Sequence, residues 1–89
     1  MAESTYKHIL EQFLTQQVDV NTFIDQYFTQ WKSDRDNGKA VSYDPKFQRI
    51  IDRIFTSCDC YDEEPQMPHK ISEEQLRQEI DLLRYIWWG

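Results

Sequence analysis

The stretch Asp19-Val-Asn-Thr-Phe-Ile-Asp-Gln-Tyr-Phe-Thr-Gln-Trp-Lys-Ser-Asp-Arg-Asp-Asn-Gly38 repeats apolar side chains at Val20, Phe23, Ile24, Tyr27, Phe28 and Trp31. Intervals of three and four residues line one face of a helix, whereas a strand needs alternation. Asp19 is placed to cap the first turn and Gly38 to end the last one, so the pattern predicts a helix of about five turns. Working outward, the same spacing recurs at Tyr6, Ile9, Leu10, Phe13 and Leu14, with Ser4 or Thr5 as the expected cap. It recurs again at Phe47, Ile50, Ile51, Ile54, Phe55 and Cys58, after a polar connection through Lys39 to Tyr43. There Asp44 can cap and Pro45 can take the first helical position, where its missing N–H costs nothing. From Asp59 to Lys70 the periodicity stops and Pro65 and Pro68 appear, which predicts a loop. A fourth helix then starts at Ser72, with Gln75 completing a capping box, and turns Leu76, Ile80, Leu83 and Trp87 inward. Leu82, Ile86 and Trp88 widen its apolar sector beyond one stripe. The fold expected is all-α: a single-domain antiparallel four-helix bundle over residues 1–89.

Composition narrows the function classes. A chain of 89 residues is near the lower size limit for a core without staples, and its thirteen aromatic residues supply large buried areas per side chain. Two Gly and three Pro leave little room for a loop-rich design. No segment is apolar for long enough to span a bilayer, and the first residues lack the regions of a signal peptide, so a cytoplasmic protein is expected. Cys58 and Cys60 are the only cysteines, too close in sequence for a useful cross-link and therefore read as reduced thiols.

Charge is the other decisive feature. Between Asp52 and Asp81 nine acidic side chains face three basic ones, a net −6 that equals the charge of the whole chain. A field of one sign steers cationic partners and repels nucleic acid and anionic membranes. Within this segment Glu73 and Glu74 suit the first turn of a helix, where carboxylates complement the dipole. Asp59, Asp62, Glu63 and Glu64 put four carboxylates within six residues, with Tyr61 among them. The plain reading is a solvated loop. Mutual repulsion argues for a use, and an amphipathic aromatic is the kind of anchor that interfaces favour. The expected binding residues are Asp59, Tyr61, Asp62, Glu63, Glu64, Glu73 and Glu74.

Catalysis and cofactors find no support in the sequence. It has no Gly-rich phosphate loop, no nucleophile elbow and no His pair at metal spacing, so neither an enzyme nor a cofactor is expected. Asp34, Asp36 and Gly38 resemble the start of a calcium loop, yet the glycine falls one position early and Pro45 stands where the bidentate Glu belongs. Cys58, Cys60, His69 and Asp59 can approach one another, but their spacing matches no common zinc site, and the plain reading packs Cys58 in the core.

Several of these residues together resemble the colicin D immunity protein family: Phe13-Leu14, Asp19 to Phe23 opening a long helix through Tyr27, Trp31 and the Asp34 to Gly38 turn, Ile54-Phe55 with Asp59, Tyr61 and Asp62, and Ile71 to Arg77 reading Ile-Ser-Glu-Glu-Gln-Leu-Arg. The resemblance covers about residues 6 to 83. It implies a four-helix bundle that binds the toxic domain of a bacteriocin or contact-dependent growth-inhibition toxin, often an RNA-cleaving nuclease, and blocks its basic cleft with acidic side chains. By that resemblance Asp59, Tyr61, Asp62, Glu73 and Glu74 match the family's acidic stretch. Glu63 and Glu64 are added by charge density alone, and the cysteines and the Trp87-Trp88 ending lie outside it. The rival expectation is a small helical adaptor that forms a homodimer or docks on a partner through its apolar C-terminal helix; a metal-dependent sensor on Cys58, Cys60 and His69 is the third.

Overall fold

A computed structural model describes residues 2–39, 42–64, 66–68 and 70–89. Four helices follow one another: α1 (Ala2–Leu14), α2 (Val20–Asp36), α3 (Pro45–Cys60) and α4 (Glu73–Trp88). Each packs on its neighbours in the order α1–α2–α3–α4–α1, which makes an all-α four-helix bundle. Phe13 near the end of α1 stacks on Phe23 near the start of α2, and Arg77 in the first part of α4 sits over the same Phe13 ring. At the other end Phe47 of α3 meets Trp87 and Trp88 of α4. These pairings set α1 antiparallel to α2 and α4, and α3 antiparallel to α4. Among the described residues, no helix is long and apolar enough to cross a membrane.

The local signals act as the sequence predicts at most helix ends. Asp19 accepts the Thr22 N–H at 2.7 Å, and that backbone bond holds its carboxyl below the usual range. Asp44 caps α3 with Pro45 at its start. Ser72 and Gln75 form the reciprocal capping box of α4. Gly38 takes the left-handed φ of 70° after α2. Two boundaries differ from expectation. Ser4 and Thr5 lie inside α1, because the helix begins a turn earlier with Glu3 complementing its dipole. Asp59 and Cys60 belong to α3, because Ser57 and Cys58 are buried and carry the helix through its last turn. The end of α1 uses an unexpected device. Gln16 at φ 62° lets the Gln17 N–H reach the Gln12 carbonyl and its own N–H the Phe13 carbonyl, which satisfies two otherwise open acceptors.

The core is an aromatic column. Phe13 stacks on Phe23 with ring centres 4.2 Å apart, Tyr27 follows, and Tyr6 joins Tyr27 to Phe47. Phe47 in turn holds Tyr43, Trp87 and Trp88, so the two C-terminal tryptophans close the end of the bundle. A second stack, Phe28 and Trp31 on Phe55, covers the α2–α3 seam.

Into this column the fold buries a carboxylate. Asp34 is only 3% exposed and accepts three hydrogen bonds, from the hydroxyls of Tyr6 (2.8 Å) and Tyr43 (2.6 Å) and from the Gln30 amide (3.0 Å). Its acceptors are thus used by α1, α2 and the segment that leads into α3. Tyr27, also buried, donates its hydroxyl to the Ile51 carbonyl.

Asp34→Ala strips the acceptor from three polar groups at once, and we expect a loss of at least about 2 kcal/mol in urea unfolding, with Asn recovering part of it. Alkaline pH should weaken the fold for a related reason. Burial pushes the Cys58 thiol up to about 12, and burial raises the Tyr6, Tyr27 and Tyr43 hydroxyls, with Asp34 adding to the rise at Tyr6 and Tyr43. Groups whose folded values lie above their ordinary values near 9 and 10 stabilise fully below those values and lose that contribution as pH rises through the folded ones. Stability should therefore fall above about pH 9, with tyrosinate absorbance appearing together with loss of near-ultraviolet dichroism.

Candidate functional site

The acidic segment gathers at the end of the bundle where α3 leaves and α4 begins. Asp59 is exposed in the last turn of α3, Tyr61 caps that helix, Asp62 to Glu64 follow in the loop, and Glu73 and Glu74 open α4. The loop is closed at its neck by a parallel bridge between Tyr61 and Ile71. The Ile71 N–H donates to the Cys60 carbonyl and the Asp62 N–H to the Ile71 carbonyl, each at 3.0 Å. Asp62 then accepts the Glu64 N–H at 3.0 Å, a local turn that keeps its half-buried carboxylate near the base. Tyr61 is half-buried and packs on the core instead of standing free among the charges. Its hydroxyl is raised by partial burial and then by the charges of Glu63, Glu73 and Asp62, so carboxylates from both the loop and α4 act on one phenol.

Ion pairs divide the nine carboxylates into two groups. Glu79 meets Arg53 at 2.8 Å and ties α4 to α3; Glu73 holds Arg77 at 3.0 Å; Asp81 pairs with Arg84. Asp52 accepts the Trp31 indole N–H at 3.2 Å. Among the described residues no ion pair reaches Asp59, Asp62, Glu63, Glu64 or Glu74. Arg77 is not available to them: its guanidinium lies 4.1 Å from the Phe13 ring centre and also donates to the Phe13 carbonyl. Asp59 even sits at the wrong helix end. A carboxylate in the last turn opposes the dipole by roughly 0.3–1 kcal/mol, and α3 has no basic residue there to offset it.

Beside this acidic end a groove of about 560 Å³ runs between α3 and α4, with Ser57, Cys60, Ile71, Gln75 and Leu82 in its walls. Farther along α4, Tyr85 and Ile86 stand exposed. The other residues singled out in the sequence lie elsewhere. Trp87 and Trp88, which the adaptor reading would need outside, pack on Phe47. Cys58 is buried in the core, Cys60 lies on the groove wall, and His69 is outside the described residues. Among the described residues no group of three or more His, Cys, Asp or Glu can hold a metal ion. The burial of Asp34 is what sequence reasoning missed: it weighed the residue only for a calcium loop, which it rejected, and as part of the turn that ends at Gly38. Its signal was available, since Tyr27, Trp31 and Asp34 continue the inward spacing of α2.

No curated protein and no solved structure is matched. One family model, described as bacterial self-protective colicin-like immunity, matches residues 1–84 and thereby takes in α1 to α3, most of α4 and the whole acidic end. By that match the chain belongs to the bacterial self-protective colicin-like immunity family.

Proposed function

We propose that this immunity protein neutralises a basic, nucleic-acid-cleaving toxin domain of a bacteriocin or contact-dependent growth-inhibition system by setting its uncompensated carboxylates into the toxin's active cleft. The observation that carries this reading is the set of five carboxylates, Asp59, Asp62, Glu63, Glu64 and Glu74, that make no ion pair among the described residues and gather at one end of the bundle. A nuclease must present cations to bind phosphates, because backbone charge dominates nucleic-acid affinity. Carboxylates held at the neck of a closed loop meet those cations without first being ordered, and the bundle behind them excludes RNA by bulk. Opposite fields also raise the association rate, which matters when few toxin molecules kill. Glu73, although bonded to Arg77, adds to the same field, and Tyr61 supports the loop from beneath. In this reading the chain acts as a single domain in the cytoplasm, one copy per toxin, without cofactor or turnover.

Two measurements test it, both with the toxin domain encoded in the neighbouring reading frame. Replacing Asp59, Asp62, Glu63 and Glu64 together by Lys should leave the helical dichroism intact, lower the association rate at least about tenfold and abolish protection in co-expression. Unchanged protection would remove the loop from the interface. Asp59→Lys alone should raise the unfolding free energy by roughly 0.3–1 kcal/mol while slowing association, because it corrects a charge at the wrong helix end. A less stable protein would instead give Asp59 a structural duty.

A further inference from the structure

Charge brings a partner to the acidic end quickly, but long residence depends on apolar groups that become fully desolvated. Tyr61, already half-buried against the core, has less surface left to desolvate than a fully exposed side chain. The large apolar side chains that the fold leaves outside on α4 are Leu82 (55% exposed), Tyr85 (66%) and Ile86 (59%), at positions i, i+3 and i+4 on one helix face. They are not needed inside, because Leu76, Ile80 and Leu83 already supply the buried stripe of α4. Contiguous exposed apolar residues are uncommon on a small domain unless something covers them.

Two observations say what covers them. The groove that Leu82 borders starts at the acidic end itself: its walls include Cys60 and Ile71, whose backbones close the loop neck, and Gln75, which completes the cap beside Glu74. A partner seated on the carboxylates therefore lies at the mouth of the groove. The groove is also electrically quiet, because its two charged residues, Arg53 and Glu79, neutralise each other at 2.8 Å. A cation-bearing partner thus finds an anionic end next to a neutral apolar trough. A second copy of this chain, which carries −6, would be repelled.

We infer that the α3–α4 groove, continuing onto Leu82, Tyr85 and Ile86, is the apolar half of the toxin-binding surface and takes an apolar side chain that lies beside the toxin's cationic cleft. The inference rests on the toxin-binding reading and adds a division of labour: the carboxylates set the association rate, and the groove sets the dissociation rate.

Stopped-flow and surface-capture kinetics with a catalytically silenced form of the neighbouring toxin domain separate the two. Leu82→Ser with Ile86→Ser, both exposed and expected to fold normally, should raise the dissociation rate at least tenfold. The association rate should stay within twofold of the parent and its salt dependence unchanged. Amide exchange across residues 78–86 should slow in the parent complex, a measurement that needs no variant. An unchanged dissociation rate in the double variant, with the parent still binding, overturns the groove and leaves the toxin reading standing. A parent that does not bind the toxin domain at all overturns both. Concentration-dependent dimers in sedimentation that the double variant abolishes would assign the face to a second copy and also overturn the proposal.

Discussion

The carboxylate of Asp34 is the constraint on which the rest of the bundle depends. Removing a charge from water is costly, and the structure offsets the cost with donors from three separate segments. Tyr6 fixes how α1 rolls on α2. Tyr43 fixes where the chain enters α3, since the same ring packs edge-on against Phe47 at 5.4 Å. Once α3 is seated, Phe47 collects the two tryptophans of α4 and Arg53 meets Glu79, so the α3–α4 layer that bears the acidic end is positioned from the opposite end of the molecule. An apolar residue at position 34 would satisfy none of these donors. The polar cluster therefore specifies one arrangement of helices that greasy packing alone leaves underdetermined.

Much of this fold was legible because it rests on local chemistry. The face of α2 from Val20 to Trp31, the Asp19 cap, the Asp44-Pro45 start and the Ser72-Gln75 box each need only a few neighbouring residues to act, and each acts as read. What was not legible depends on partners distant in sequence. Asp34 is explained by Tyr6, twenty-eight residues earlier, and Arg77 by Phe13, sixty-four residues earlier. The C-terminal end of α3 was placed early because Asp59 and Cys60 look like loop residues, whereas burial of Ser57 and Cys58 keeps the last turn helical.

The acidic segment was visible as a whole, but its division was not. Read along the chain, Glu73 and Glu74 stand out as a helix start and Asp59 to Glu64 as a cluster, but which carboxylates pair with arginines is not visible. In three dimensions Glu79, Glu73 and Asp81 are matched by arginines, Asp52 holds an indole, and the remainder have no cation among the described residues. Members of one charged run thus have different duties, some tied into the fold by ion pairs and others, among the described residues, in none, and the skew in net charge is concentrated on a few side chains. The exposed sector of α4 shows the same separation, with one stripe turned to the core and the next turned outward.

The parallel bridge between Tyr61 and Ile71 also bears on the loop it closes. Because the two strand-like residues pin the neck, the backbone of α3 and α4 is joined there independently of the loop's length, and lengthening such a closed loop costs only a logarithmic entropy term. The bundle therefore does not need one particular loop sequence in order to fold. One pair of residues thus separates what the loop carries from what holds the helices together.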